Sequence, residues 1–132
     1  MEKFTVRSTD HTSIIDITPQ IQSIITASGI KNGICYVFIP HTTAGISINE
    51  NADPDVKADI LKEINKVIPF KDSYRHMEGN AAAHIKSSLF GNSETIFLED
   101  GRLQLGTWQG IFFCEFDGPR TRQVWIKLIP SE

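Results

Sequence analysis

The sequence predicts an α+β fold of mostly antiparallel, stacked sheets with about three helices packed on one face. Three observations carry that expectation. The runs 33–39 (GICYVFI) and 110–116 (GIFFCEF) are apolar at both parities, as strands covered on both sides are. Three other stretches repeat apolar residues at helical spacing behind cap-type residues. The later strands are joined by short turn signals, Asp100-Gly101 and Asp117-Gly118-Pro119, which make neighbours antiparallel. No repeat, linker or low-complexity tract divides the chain, so residues 1–132 read as one domain. At that length a core forms without disulfides or metal clips.

In chain order, residues 4–8 alternate Phe4 and Val6 with Thr5 and Arg7, a half-buried strand, and 13–17 is its partner across a turn at 9–12. Thr18 is the expected N-cap of the first helix, with Pro19 at the first helical position. Ile21, Ile24 and Ile25 form its inner face and Gly29 its left-handed cap. The buried strand 33–39 stops at Pro40, and a short strand follows over 45–49. Asp53-Pro54 opens a second helix with the stripe Val56, Ile60, Ile64, Val67 and Ile68, ended by Pro69. The third helix runs from Asn80, its N-cap, to Leu89, with Ala81, Ile85, Ser88 and Leu89 facing inward. His84 falls at the edge of that stripe, about 100° from Ile85. Strands over 94–99, 110–116 and 122–129 complete the chain. The doubly apolar runs call for two stacked sheets, or for a sheet covered further by other copies.

The net charge of −3, with no basic face interleaved with aromatics, argues against a nucleic-acid partner. No apolar stretch reaches the ~20 residues of a membrane span, and the first residues hold no run of signal-peptide type. Cys35 and Cys114 sit in apolar runs without CxxC spacing. They are expected as reduced core residues in a cytoplasmic protein.

Chemistry concentrates in 73–89 (SYRHMEGNAAAHIKSSL), where His76, Glu78, Asn80 and His84 lead into a helix. His41 lies upstream, where the buried strand delivers it to a rim; His11 reads as a surface residue. Three histidines can hold a divalent metal, zinc above all, with an open position for water or substrate. His76 and His84 are eight residues apart, unlike the pair in HExxH. Spacing therefore leaves open a second possibility, proton transfer by one or two histidines without metal. Glu78 and Glu50 are the carboxylates that could orient a histidine or act as general base. Arg120 and Arg122 flank a turn where they could grip a phosphate or carboxylate, with Asn80 as a further anion contact. Trp108 and Gln109, between Gly106 and Gly110, mark backbone that approaches a ligand or a neighbouring subunit.

These residues fall in a pattern: His41-Thr42-Thr43-Ala44, Ile48-Asn49-Glu50, Asp53-Pro54, Tyr74-x-His76, Glu78-Gly79-Asn80-Ala81, Ala83-His84, the block 93–111 (SETIFLEDGRLQLGTWQGI), and Asp117-Gly118-Pro119-Arg120-x-Arg122. In this order they resemble the YjbQ family, also labelled secondary thiamine-phosphate synthase, from about Val6 to Leu128. The resemblance implies an α+β homotrimer with sheets stacked beneath helices. It implies a cleft, at a subunit boundary, that holds the histidine cluster and binds a metal or a small phosphorylated molecule or anion. It also implies a secondary ability to join the pyrimidine pyrophosphate and thiazole phosphate into thiamine phosphate. Such a reaction must stabilise leaving pyrophosphate with cations and backbone N–H groups, yet the sequence contains no P-loop and no Asp-rich magnesium cluster. A metal-dependent hydrolase of a small phosphorylated or amide substrate, and a non-enzymatic trimer that binds a ligand or metal, are the alternatives.

Overall fold

Alternation along the strands decides how the layers meet. The computed structural model describes residues 1–131. Their elements run β1 (Glu2–Arg7), β2 (Ser13–Asp16), α1 (Thr18–Ser28), β3 (Gly33–Phe38), β4 (Ala44–Glu50), α2 (Pro54–Val67), α3 (Ala81–Phe90), β5 (Ser93–Glu99), β6 (Arg102–Leu103), β7 (Gln109–Glu115) and β8 (Thr121–Pro130). Every strand pairing is antiparallel. The strands form a five-stranded sheet, β1-β8-β3-β5-β6, and a three-stranded sheet, β2-β7-β4. The α+β class expected from the sequence is the one found.

Val6, Cys35, Val37, Ile96, Leu98, Val124 and Ile126 point inward from the larger sheet and meet Ala44, Ile46, Ile111 and Phe113 from the smaller one. Ile17 and α1's Ile21 and Ile25 join the same core, so α1 closes the side of the sandwich. Behind the smaller sheet, Phe112, Cys114 and Phe116 pack against Ala83 and Phe90 of α3. Each buried Val, Ile, Leu or Phe of these clusters contributes roughly 1.5–3 kcal/mol. β7 is thus covered on both faces, as its apolar run predicts.

β3 differs. Cys35 and Val37 are fully buried, but Tyr36 and Phe38 remain 41% and 40% exposed, because no element among the described residues layers over the outer face of the larger sheet. Phe97 and Ile129 are exposed on that face too, and Phe38 stands 5.8 Å from Trp125.

The helix starts also differ in detail. Asp16, not Thr18, serves the first turn of α1: the Thr18 N–H donates to Asp16 Oδ1 at 3.0 Å. The Thr18 hydroxyl instead accepts the Ile111 N–H at 2.8 Å and ties α1 to β7. Asp53 caps α2 as expected, accepting the Asp55 N–H at 2.9 Å. Val67, assigned to the inner stripe, is exposed.

The largest departure is α3. It buries Ala82, Ala83, Lys86 and Ser87, while Ile85 and Leu89 face out. β4 forces this choice. A Cβ at Gly45 would stand 2.8 Å from the Gly91 carbonyl and 3.1 Å from Phe90 Cβ. At such an approach only small side chains fit, and the Ser87 hydroxyl donates to the Ala44 carbonyl at 2.6 Å. Among the described residues no helix is long and apolar enough to cross a membrane.

Candidate functional site

The site begins where β3 stops. Pro40 has no N–H with which to extend a ladder, and the last β3–β8 pair is Phe38 with Trp125. Two residues further along β8, the Gln123 N–H donates to His41 Nε2 at 2.9 Å, so a side chain takes the place of a ladder acceptor. His41 then lines a cleft of about 510 Å³ with Thr42, His84, Ser87, Ser88, Gly91 and Asn92. His84, half-buried on α3, meets His76 edge-on with ring centroids 5.3 Å apart. His76 Nε2 lies 3.8 Å from Glu78 Oε2 on the exposed loop before α3. The fold therefore gathers His41 and His84 in one cleft, with His76 beside His84 and Glu78 beside His76.

Beneath His41 lies a buried ion pair. Arg122 Nε donates to Glu115 Oε1 at 2.9 Å, and Nη2 donates to Glu115 Oε2 and to Thr43 Oγ1, the latter at 2.8 Å. The Ser8 hydroxyl and the Asp117 N–H also donate to Glu115, at 2.7 and 3.1 Å. Burial pushes the Glu115 carboxyl up, but these hydrogen bonds outweigh it and hold the group below the usual range. Arg122, expected as an anion-binding arm, is 5% exposed and committed to this pair. It reaches the cleft as a field: burial and then the Arg122 charge lower the His41 pKa, against the Gln123 hydrogen bond and Glu115.

Arg120 and Asn80 meet on one carboxylate. Arg120 Nη2 and Asn80 Nδ2 donate to Asp117 Oδ2 at 2.9 and 3.0 Å, tying the β7–β8 turn to the start of α3. Asn80 occupies the N-cap position without capping the helix, and its buried Oδ1 has no partner among the described residues. The Arg120 guanidinium stays half-exposed.

Glu50, Trp108 and Gln109 stand elsewhere. Along the β4–β7 ladder Ala44 pairs with Glu115 at the histidine end, and Glu50 pairs with Gln109 at the other. Six strand steps separate the ends by about 20 Å. Glu50 Oε2 accepts the Ala52 N–H at 3.0 Å, and Gln109 Oε1 accepts the Gly106 N–H at 2.8 Å, so both close local turns. Within one chain they do not reach the cleft. Spacing along the sequence cannot say which end of a strand a motif occupies.

Residues outside the expected set matter here: Glu115, Thr43, Ser8, Asp117, Gln123 and Lys86. Two of them carried a signal. Glu115 in GIFFCEF and Lys86 in AAAHIKSSL are charges inside apolar stretches, and a charge at a buried position demands a partner. Among the described residues no three His, Cys, Asp or Glu side chains come close enough to share a metal ion. The zinc site expected of His41, His76 and His84 is therefore not assembled within one chain.

A family model described as "UPF0047 protein YjbQ-like" matches residues 2–131. The chain belongs to the YjbQ-like UPF0047 family. It is 53% identical over 127 residues to UPF0047 protein MJ1081 of Methanocaldococcus jannaschii, covering 96% of this chain and 92% of that one. UPF0047 protein YugU of Bacillus subtilis is 53% identical over 125 residues, 94% of this chain and 95% of its own. A crystal structure of a YjbQ/UPF0047 family protein from Clostridium acetobutylicum superposes with a TM-score of 0.95 at 51% identity, over 98% of this chain and all of the other. The YjbQ-like scaffold thus includes each element that frames the cleft: the end of β3, the start of β4, α3 and the β7–β8 turn.

Proposed function

We propose that this YjbQ-like protein is an enzyme acting on a small phosphorylated substrate in the His41–His84 cleft, with thiamine-phosphate synthesis as the reaction to test. The reading rests on one observation: His41 and His84 line the same cleft and His76 touches His84. In that reaction the thiazole nitrogen attacks the pyrimidine methylene carbon, and the carbon–oxygen bond to pyrophosphate breaks. Pyrophosphate leaves with the electron pair. Imidazole N–H groups supply hydrogen bonds to that growing negative charge, and the half-exposed Arg120 adds a positive charge to the field at His41. A bound divalent ion such as zinc would supply Lewis-acid polarisation of the pyrophosphate. The steps proposed for the protein's own groups are hydrogen-bond donation by the imidazoles and the charge of Arg120. The uncovered outer face of the larger sheet supports a homotrimer, and the two free, buried cysteines support a cytoplasmic location.

The test mixes purified protein with the pyrimidine pyrophosphate and the thiazole phosphate and quantifies thiamine phosphate by mass spectrometry. Wild type makes product without added metal, and His84→Ala lowers the rate by about 10²-fold or more. Chelator-sensitive turnover with zinc bound at one per chain would replace the metal-free version. Cleavage of a single substrate would favour the hydrolase. Tight pyrophosphate binding without turnover would leave a binding protein.

A further inference from the structure

The site geometry divides the three histidines by task. We infer that His41 is held as a neutral hydrogen-bond donor that recognises a phosphate oxyanion, and is not a metal ligand. The inference rests on the cleft being the binding site and names the chemistry His41 contributes there.

A neutral imidazole has one lone pair and one N–H. The Gln123 N–H points at Nε2 from 2.9 Å, so the lone pair is there and the proton is on Nδ1. Nε2 is then unavailable to a metal unless Gln123 loses its acceptor. Coordination through Nδ1 would move the proton to Nε2 and set two N–H donors against each other. The backbone of β8 thus selects the tautomer, and Pro40, by ending the β3 ladder, leaves the Gln123 N–H to do so.

The rest of the cleft agrees. Three of its carbonyls are engaged: the Ser87 carbonyl by the Gly91 N–H at 2.9 Å, the Gly91 carbonyl by the Ile46 N–H at 3.1 Å, and the Asn92 carbonyl by the Ile39 N–H at 2.7 Å. Ser88 Oγ donates to the His84 carbonyl at 3.0 Å, and Ser87 Oγ donates to the Ala44 carbonyl at 2.6 Å. None of the side-chain hydrogen bonds among the described residues engages the Thr42 hydroxyl, the Asn92 amide or the His84 ring. The O–H and N–H groups of these three side chains can donate to an oxyanion.

Long-range ¹H–¹⁵N correlation spectra of uniformly labelled protein at pH 7.5 test this without a variant. His41 should show an unprotonated Nε2 and a protonated Nδ1. Inorganic phosphate should shift the His41 Nδ1 resonance, and zinc should perturb His76 and His84 while leaving His41 in place. His41→Ala should weaken phosphate binding by tenfold or more, with the thermal melt checking that the variant is folded. A protonated Nε2, or a His41 signal lost to zinc at stoichiometric ion, overturns the inference and leaves the proposed function standing. The expected tautomer with no response to phosphate overturns the ligand class and the proposed function together.

Discussion

The ammonium of Lys86 stands 3.6 Å from the centroid of the Phe70 ring, on a helix face with no solvent exposure. Its Nζ also donates to Asn65 Oδ1 at 2.7 Å. Phe70 begins the loop that carries His76 and Glu78, so this contact pins the loop's base to α3. An aromatic face and one amide oxygen replace only part of a lysine's hydration. Burial accordingly pushes the amine down to about 8.

That shift has a direction in stability. Between pH 8 and 10.5 the unfolded chain holds a proton on this lysine that the folded chain has released, so folding gains stability as pH rises through that window. The gain is about 3 kcal/mol at most. Lys86→Met should abolish it, read by urea denaturation of both proteins at pH 7.5 and 10. Parallel pH dependences would show that Lys86 titrates normally.

Arg122→Met should cost about 3–5 kcal/mol, because it leaves the fully buried Glu115 unpaired. Adding Glu115→Gln should restore much of the loss. The Glu115 carboxyl is held below its usual range, so its contribution is present at neutral pH and lost as pH falls through the folded-state value. Glu115→Gln should therefore flatten the acid limb of the stability curve. A single Arg122→Met variant as stable as wild type would remove the ion pair from the account.

The outer face of the larger sheet predicts the assembly. Phe38 and Phe97 are 40% and 67% exposed in one chain, beside Tyr36 and Ile129. Large apolar side chains exposed together on one sheet face mark an interaction surface. Phe38→Lys with Phe97→Glu should shift sedimentation from trimer to monomer with the melting temperature little changed. Wild-type protein sedimenting as a monomer at micromolar concentration would end the trimer proposal.

Gly45→Ala probes the contact that orients α3. The new Cβ would crowd the Gly91 carbonyl and Phe90, moving the helix that holds His84. About 1–3 kcal/mol of stability should be lost, together with phosphate affinity. Calorimetry and phosphate titration check the two effects; a loss of neither would mean that β4 does not set the position of α3.

Much of the fold was legible. The αL cap at Gly29, the Asp53 cap and the doubly buried β7 follow from local chemistry and parity. The motif pattern pointed to these histidines as a group, and the structure places His41 and His84 in one cleft with His76 against His84. The inner face of α3 was not, since Ile85 and Leu89 outrank Ala82 and Ser87 on hydrophobicity alone. Only the closeness of β4 makes small residues the better fit. The role of Arg122 was hidden for a similar reason: its partner Glu115 lies on the preceding strand, but their opposition depends on how β7 and β8 pass between the two sheets.

By itself the sequence determined the class of fold, most element boundaries and the set of polar residues able to do chemistry. These depend on local conformational preference and on burial patterns that repeat within a few residues. The tertiary structure decided which of those residues meet. It set Glu50, Trp108 and Gln109 at the far end of a ladder from His41, sank Arg122 against Glu115, and gave the Gln123 N–H to His41. Such choices turn on distances between segments far apart in the chain, and no residue's own chemistry encodes them.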